Sequence, residues 1–262
     1  MYIDAHTHLA KYEENMFEVI SEIEQNEILT VSVSMDTFLY EKNLDIAKTC
    51  ELVIPSFGIH PWSATHYSYR LGDLVEYIKR SAMIGEIGLD FHFIEEVEQY
   101  EHQRKVFDFF LAAAQEQNKI INLHTKGAEK EILNKLIEYN IRQSIIHWYS
   151  GPQKYVDKYL AQGSYFTIGV DVLFNKKIQK LLNTIPDERL LTETDNPGGY
   201  EWITKKIGMP KLIIEVVDKI AEIKGISSED VKHSIISNFY TLIADNEHID
   251  VSIKNRLRGL LY

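Results

Sequence analysis

Eight short apolar runs, each followed by a stretch of helical period, in a chain of 262 residues predict an α/β fold: a TIM-type (β/α)8 barrel with an extra C-terminal helix. Three observations carry this. Strand alternating with helix implies a parallel sheet covered by helices. Eight such units, in a length close to the roughly 250 residues typical of this barrel, favour closure over an open sheet. No linker-like segment divides the chain, so residues 1–262 read as one domain.

The strands are expected at Tyr2–His8, Ile28–Ser34, Val53–Ile59, Met83–Leu89, Ile120–Thr125, Ser144–Tyr149, Tyr165–Gly169 and Leu190–Asp195. A long helix after the fourth contains Leu111, Ala112 and Gln115. Between Ala128 and Asn140, Ile132, Leu133, Leu136 and Ile137 fall at helical spacing, with Glu129, Lys130, Glu131 and Lys135 opposite. Asn196-Pro197-Gly198-Gly199-Tyr200 reads as a loop. Pro210 is expected to start the eighth helix, which runs to about Lys224. The last helix begins near Ser227 or Ser228, whose hydroxyl can cap it, and carries Val231, Ile235, Phe239 and Leu242 on one face. The basic tail Lys254-Asn255-Arg256-Leu257-Arg258 reads as a solvated last turn.

Composition narrows the function. Apolar residues make up 45% and charged residues 26%, enough for a sizeable core and a water-facing surface. No apolar run approaches the roughly 20 residues needed to span a bilayer. The N-terminus lacks the basic-then-apolar pattern of a secretory signal. Cys50, the single cysteine, cannot form an internal disulfide, which fits a reducing cytoplasm; it reads as a small buried hydrophobe on a helix. A net charge of −11 argues against a broad basic nucleic-acid surface. It does not exclude a phosphate substrate, because bound metal ions supply positive charge locally.

The polar residues that interrupt the strands collect where such barrels do chemistry, at the strand C-termini. His6 and His8 end the first strand and, two apart, share a face. His60 follows the third strand. Glu86 lies in the fourth, with Asp90 just past it on the same parity. His124 ends the fifth, His147 lies late in the sixth and Asp195 ends the eighth. One isolated charge in a strand buried on both faces costs several kcal/mol; shared metal ions explain the set at less cost. Imidazole suits zinc, manganese, iron or nickel, whereas a pure magnesium site favours oxygen ligands. Six ligands exceed the three usual for one open catalytic zinc, but they suffice for two ions if a carboxylate bridges, and Glu86 lies between the two histidine groups in sequence order. Two divalent cations bring four positive charges, of which Glu86 and Asp195 offset two. The excess would stabilise hydroxide and an anionic transition state, which suits hydrolysis of a phosphodiester, and equally of an ester or amide.

Six ordered motifs then resemble the TatD family of metal-dependent deoxyribonucleases, within the amidohydrolase-like barrels. They are Ile3-Asp4-Ala5-His6-Thr7-His8-Leu9, Gly58-Ile59-His60-Pro61-Trp62, Ile84-Gly85-Glu86-Ile87-Gly88-Leu89-Asp90, Asn122-Leu123-His124-Thr125-Lys126, Ile146-His147-Trp148-Tyr149-Ser150-Gly151 and Glu193-Thr194-Asp195-Asn196-Pro197. The resemblance implies two divalent ions, zinc, manganese or magnesium. His6, His8, Glu86 and Asp195 would bind one, and Glu86, His124 and His147 the other. Asp195 would take the proton of the attacking water, His60 and Lys126 would contact substrate phosphate, and Asp90, Asp4 and Glu193 would orient their neighbours. The implied reaction is removal of nucleotides from a DNA end.

Three departures surround the pocket. Thr125-Lys126 replaces the frequent Ser-Arg, and lysine lacks the planar fork that grips phosphate twice. Trp148-Tyr149 replaces Cys-Phe. Gly198-Gly199 replaces bulkier residues. Trp62, Trp148 and Tyr149 are candidates for stacking on a base or for packing alone. Two other readings stay open: a metal-dependent hydrolase of a carbonyl substrate (an amide, a lactone or an aminoacyl-tRNA ester), and a non-catalytic metal-bound subunit of a complex.

Overall fold

The computed structural model describes residues 1–262. Its eight strands are β1 (Tyr2–Thr7), β2 (Ile28–Val33), β3 (Val53–Phe57), β4 (Met83–Asp90), β5 (Ile121–Lys126), β6 (Ser144–Ile146), β7 (Tyr165–Ile168) and β8 (Leu190–Thr192). They form one parallel sheet in sequence order. Its first and last strands meet where the Asp195 amide donates to the His6 carbonyl (2.9 Å) and the His8 amide to the Asn196 carbonyl (2.8 Å). The Thr192 hydroxyl donates to the Ile3 carbonyl (2.5 Å) at the same seam. The eight strands thus make a nearly closed barrel.

The covering helices are α1 (Met16–Gln25), α2 (Thr37–Thr49), α3 (Ala64–Tyr67), α4 (Val75–Arg80), α5 (Glu98–Gln117), α6 (Glu129–Glu138), α7 (Val156–Ala161), α8 (Lys176–Leu182), α9 (Gly198–Thr204), α10 (Leu212–Lys224), α11 (Ser228–Ile243) and α12 (Val251–Leu261). Helices outside and side chains inside explain why all of β2 and β4 is buried. Ile132, Leu133 and Leu136 of α6 are buried and Ile137 is exposed. α11 starts as its sequence suggests: the Ser227 hydroxyl accepts the Asp230 amide, and Val231, Ile235, Phe239 and Leu242 are buried. No helix is long and apolar enough to cross a membrane.

Four local expectations need correction. Asn196–Tyr200 is not wholly a loop, because α9 begins at Gly198. Pro197 sits at the cap and the Asn196 side-chain oxygen accepts the Tyr200 amide (3.3 Å), satisfying a free N–H of the first turn. Pro210 lies in the turn before α10, which starts at Leu212. The basic tail belongs to a further helix, α12. Asp250 caps it and its one buried residue, Leu257, joins the main core, so two helices follow α10. Cys50 is buried but lies one residue beyond the end of α2.

Candidate metal centre

The site lies at the strand C-termini. His6 is in β1 and His8 one residue past it, His60 follows β3, Glu86 is in β4, His124 in β5, and His147 is one residue past β6. Asp195 follows β8 in a left-handed turn (φ +52°) that a non-glycine residue rarely adopts. The turn is pinned from both sides: Thr194 gives its amide (3.0 Å) and hydroxyl (2.6 Å) to buried Asp4, and the Gly199 amide donates to the Asp195 carbonyl (2.6 Å). Gly88 has φ +149°, and a side chain there would collide with the His124 carbonyl, so glycine lets β5 bring His124 up to β4.

All seven side chains converge. Glu86 Oε2 lies 3.6 Å from His6 Nε2 and 3.4 Å from His8 Nε2. Its Oε1 lies 2.9 Å from His124 Nδ1, 3.2 Å from His147 Nε2 and 3.4 Å from His60 Nε2. Asp195 Oδ1 completes one side, 3.5 Å from His6 Nε2 and 3.2 Å from His8 Nε2. Ligands at about 2.0–2.2 Å from a shared ion lie roughly 3–3.5 Å apart, which is the spacing here. Three overlapping triads could each hold an ion: His6-His8-Asp195, His6-Glu86-His147 and His60-Glu86-His124. The donor set fits such ions on a second count. His6 Nε2 is buried, faces both carboxylates and has no hydrogen-bond partner, a lone pair that hydrogen bonding leaves unused.

Hydrogen bonds at the far side of each ring distinguish rings that can offer a lone pair to the centre from rings that donate, because a neutral imidazole carries one proton and presents a lone pair at the other nitrogen. Asn122 gives its amide N–H to the Ala5 carbonyl (2.8 Å), so its oxygen faces His6 Nδ1 (2.8 Å) and holds the proton there. Asp90 Oδ2 holds the proton on His124 Nε2 (2.9 Å), and Glu193 Oε2 that on His147 Nδ1 (3.3 Å). When the ring is neutral, each of these three contacts leaves the nitrogen turned to Glu86 with its lone pair. His60 is the opposite. Its Nδ1 accepts the Trp62 amide (3.2 Å), so the proton sits on Nε2 and points at Glu86 and the pocket. His60 is therefore built as a hydrogen-bond donor.

The charges agree. Burial pushes His8 and His60 down to about 4. For His147 burial acts the same way, but the Glu193 and Glu86 carboxylates outweigh it and lift the ring to about 10. Glu86 and Asp195 stay well below the usual carboxylate range. Burial opposes this, and the surrounding imidazoles overcome it.

The model of the family described as TatD related DNase matches residues 3–244. The chain belongs to that family. Among curated relatives of this TatD-related chain, an uncharacterized metal-dependent hydrolase of Methanocaldococcus jannaschii is 28% identical, covering 90% of this chain and 94% of its own. The human deoxyribonuclease TATDN3 is 27% identical, covering 94% of this chain and 96% of its own. Among solved structures, the TatD homolog YJJV of Escherichia coli superposes with a TM-score of 0.84 at 20% identity, covering 92% of this chain and 97% of that one; this shows the shared barrel.

The TatD-related chain fills the rest of its pocket in its own way. The cavity over the ligands measures about 750 Å³. Lys126 lines it, with its ammonium on the Trp148 carbonyl (2.5 Å) and the Ser150 hydroxyl (3.2 Å). An added Cβ at Gly199 would meet the Thr194 carbonyl at 2.6 Å and the Trp148 indole at 2.8 Å, so the turn backbone and Trp148 both exclude a side chain there. Tyr149 is a core residue, 1% exposed with its hydroxyl on the Pro152 carbonyl, and cannot stack on a substrate. Asn122, Lys11, Phe93 and Trp202 escaped the sequence reading. Asn122 shares strand parity with His124, a usable signal; the other three have none.

Asp90 touches no ligand atom of Glu86, yet it holds His124 and accepts the Trp62 indole N–H (2.7 Å). Asp90→Asn should weaken metal binding about 10–100-fold without unfolding the protein. Titration of the metal-free variant with Mn²⁺ checks this, and an affinity unchanged from the native protein would count against the positioning role.

Proposed function

We propose that the chain is a deoxyribonuclease that hydrolyses phosphodiester bonds at DNA ends on two divalent ions. The carrying observation is Glu86. Its two oxygens face different histidine sets, His6 and His8 on one side and His124 and His147 on the other, as a bridging carboxylate requires. His6, His8, Glu86 and Asp195 would hold one ion, and Glu86, His124 and His147 the other. Divalent ions at these residues supply Lewis acidity toward phosphoryl oxygen and acidify a bound water. Zinc, manganese and magnesium are all candidates.

The remaining roles follow from exposure and proton position. Asp195 is the carboxylate of the set open to the cavity, with its side chain 20% exposed against 2% for Glu86, so Asp195 takes the proton of the attacking water. His60 donates its Nε2–H to a phosphoryl oxygen. Lys126, with an ammonium proton beyond its two contacts, adds charge beside it. The names of relatives such as human TATDN3 support DNA as substrate.

The test is trimming of end-labelled single-stranded DNA, linear against closed circular, by metal-free protein reloaded with Mg²⁺, Mn²⁺ or Zn²⁺. Trimming of the linear strand alone is expected. Equal cutting of both would overturn the preference for ends. No cutting by protein shown to hold two ions would move the substrate to a carbonyl compound.

A further inference from the structure

The mouth of the pocket carries an aromatic row that no metal ligand explains. Phe93 stands in the segment after β4, and Trp202 on α9 after β8. These strands lie half-way round an eight-stranded barrel from one another, yet the two rings meet edge-to-face with centroids 6.2 Å apart. The pair spans the mouth. Trp62 continues the row inward, 6.1 Å from Phe93 and 6.4 Å from the ring of His124. Its indole N–H is fixed on Asp90, so its orientation is coupled to a residue at the site floor. All three line the cavity and remain open to solvent: Trp62 49%, Phe93 48% and Trp202 70% exposed.

Packing does not account for this arrangement. A core aromatic loses its exposed area to neighbours; these keep from 48% to 70% of theirs and line the cavity of an otherwise acidic chain. Lys11 and Lys126 line the same cavity. Cations beside exposed aromatic rings match a ligand with an anionic part and a flat, weakly polar part. The row begins one side chain from a ligand histidine, so a group anchored at the ligands need extend by only one unit to reach it.

We propose that Phe93, Trp202 and Trp62 form a slot for the nucleobase of the terminal nucleotide whose phosphate lies at the Glu86 centre; this rests on the phosphodiester reading above. Stacking tolerates any base, because every base has a π face. The bridge also gives a physical reason for a preference for ends: a chain terminus passes beneath Phe93 and Trp202 more easily than a continuous strand.

The test uses the 262-residue chain and two ligands, thymidine 5′-monophosphate and 2-deoxyribose 5-phosphate, which share the sugar phosphate and differ in the base. The nucleotide should quench tryptophan fluorescence and bind about tenfold more tightly. Phe93→Ala and Trp202→Ala, both at exposed positions and checked by thermal melting, should reduce that ratio below twofold. In turnover, an oligonucleotide ending in an abasic residue should show a KM about tenfold above that of one ending in thymidine. Equal binding of the two ligands, or a ratio unaltered in both variants, would overturn the slot. If the base dependence of binding is present but neither oligonucleotide is cut by metal-loaded protein, the slot stands and the phosphodiester reading falls.

Discussion

Glu86→Gln should lower kcat/KM on a phosphodiester by about 10³-fold or more and reduce the bound metal from two ions to one or none. The reason is local. The two oxygens of Glu86 face five imidazoles within 3.6 Å. Glutamine keeps the shape, replaces one oxygen with an N–H₂ donor and removes the negative charge. Whichever way the amide turns, one group of ligand nitrogens meets a donor where it needs a bridging acceptor. Two cations held there would then face each other without the carboxylate's charge, and the loss would exceed that of a single hydrogen bond. Metal analysis by mass spectrometry alongside turnover decides the matter. Two ions bound with activity within tenfold of native would show that Glu86 does not bridge.

Removing the metal should cost the protein about 2.7 kcal/mol for each bound ion relative to a sample with free ion at 100 times its Kd, a fall in Tm of roughly 5–10 °C per ion for a chain of this size. The pH dependence should differ between the two forms. In the metal-free protein the carboxylates of Glu193 and Glu86 overcome burial and hold His147 up to about 10. A group raised in the folded state contributes stability that is complete below its unfolded value, near 6.5, and is lost as pH rises through the folded one. The metal-free Tm should therefore decline between about pH 6.5 and 10 on account of this group. Metal loading must expel the same proton, so affinity should rise over that window and protons should be released on binding. Calorimetric titration in two buffers of different ionisation enthalpy measures the release. Proton-neutral loading at pH 7 would rule out His147 as a ligand.

The strands and the residues of the centre could be read from the chain for one reason. Each is set by a short-range pattern: apolar runs punctuated by a histidine or carboxylate at the end, and His6 and His8 two apart on one strand face. Strand limits erred by one to three residues, most at β6 and β8; β8 pairing stops at Thr192, and β6 pairing stops at Ile146, where the chain turns at Trp148 (φ +37°) to place the Trp148 amide on Glu193 (2.9 Å). The motif Asn196-Pro197-Gly198-Gly199 has the composition of a loop, and only the side chain of Asn196 reaching Tyr200 makes it a helix start.

The sequence by itself determined the barrel and the seven side chains that meet in its mouth, since residue type and strand parity suffice for these. Tertiary structure alone decided which imidazoles offer a lone pair. That depends on Asn122 behind His6, Asp90 behind His124, Glu193 behind His147 and the Trp62 amide behind His60, and three of these four contacts join separate strands or loops. It alone brought Phe93 and Trp202, 109 positions apart by their numbers, into contact over the site. Local pattern records which face a residue takes; it holds no record of what stands on the far side of the barrel.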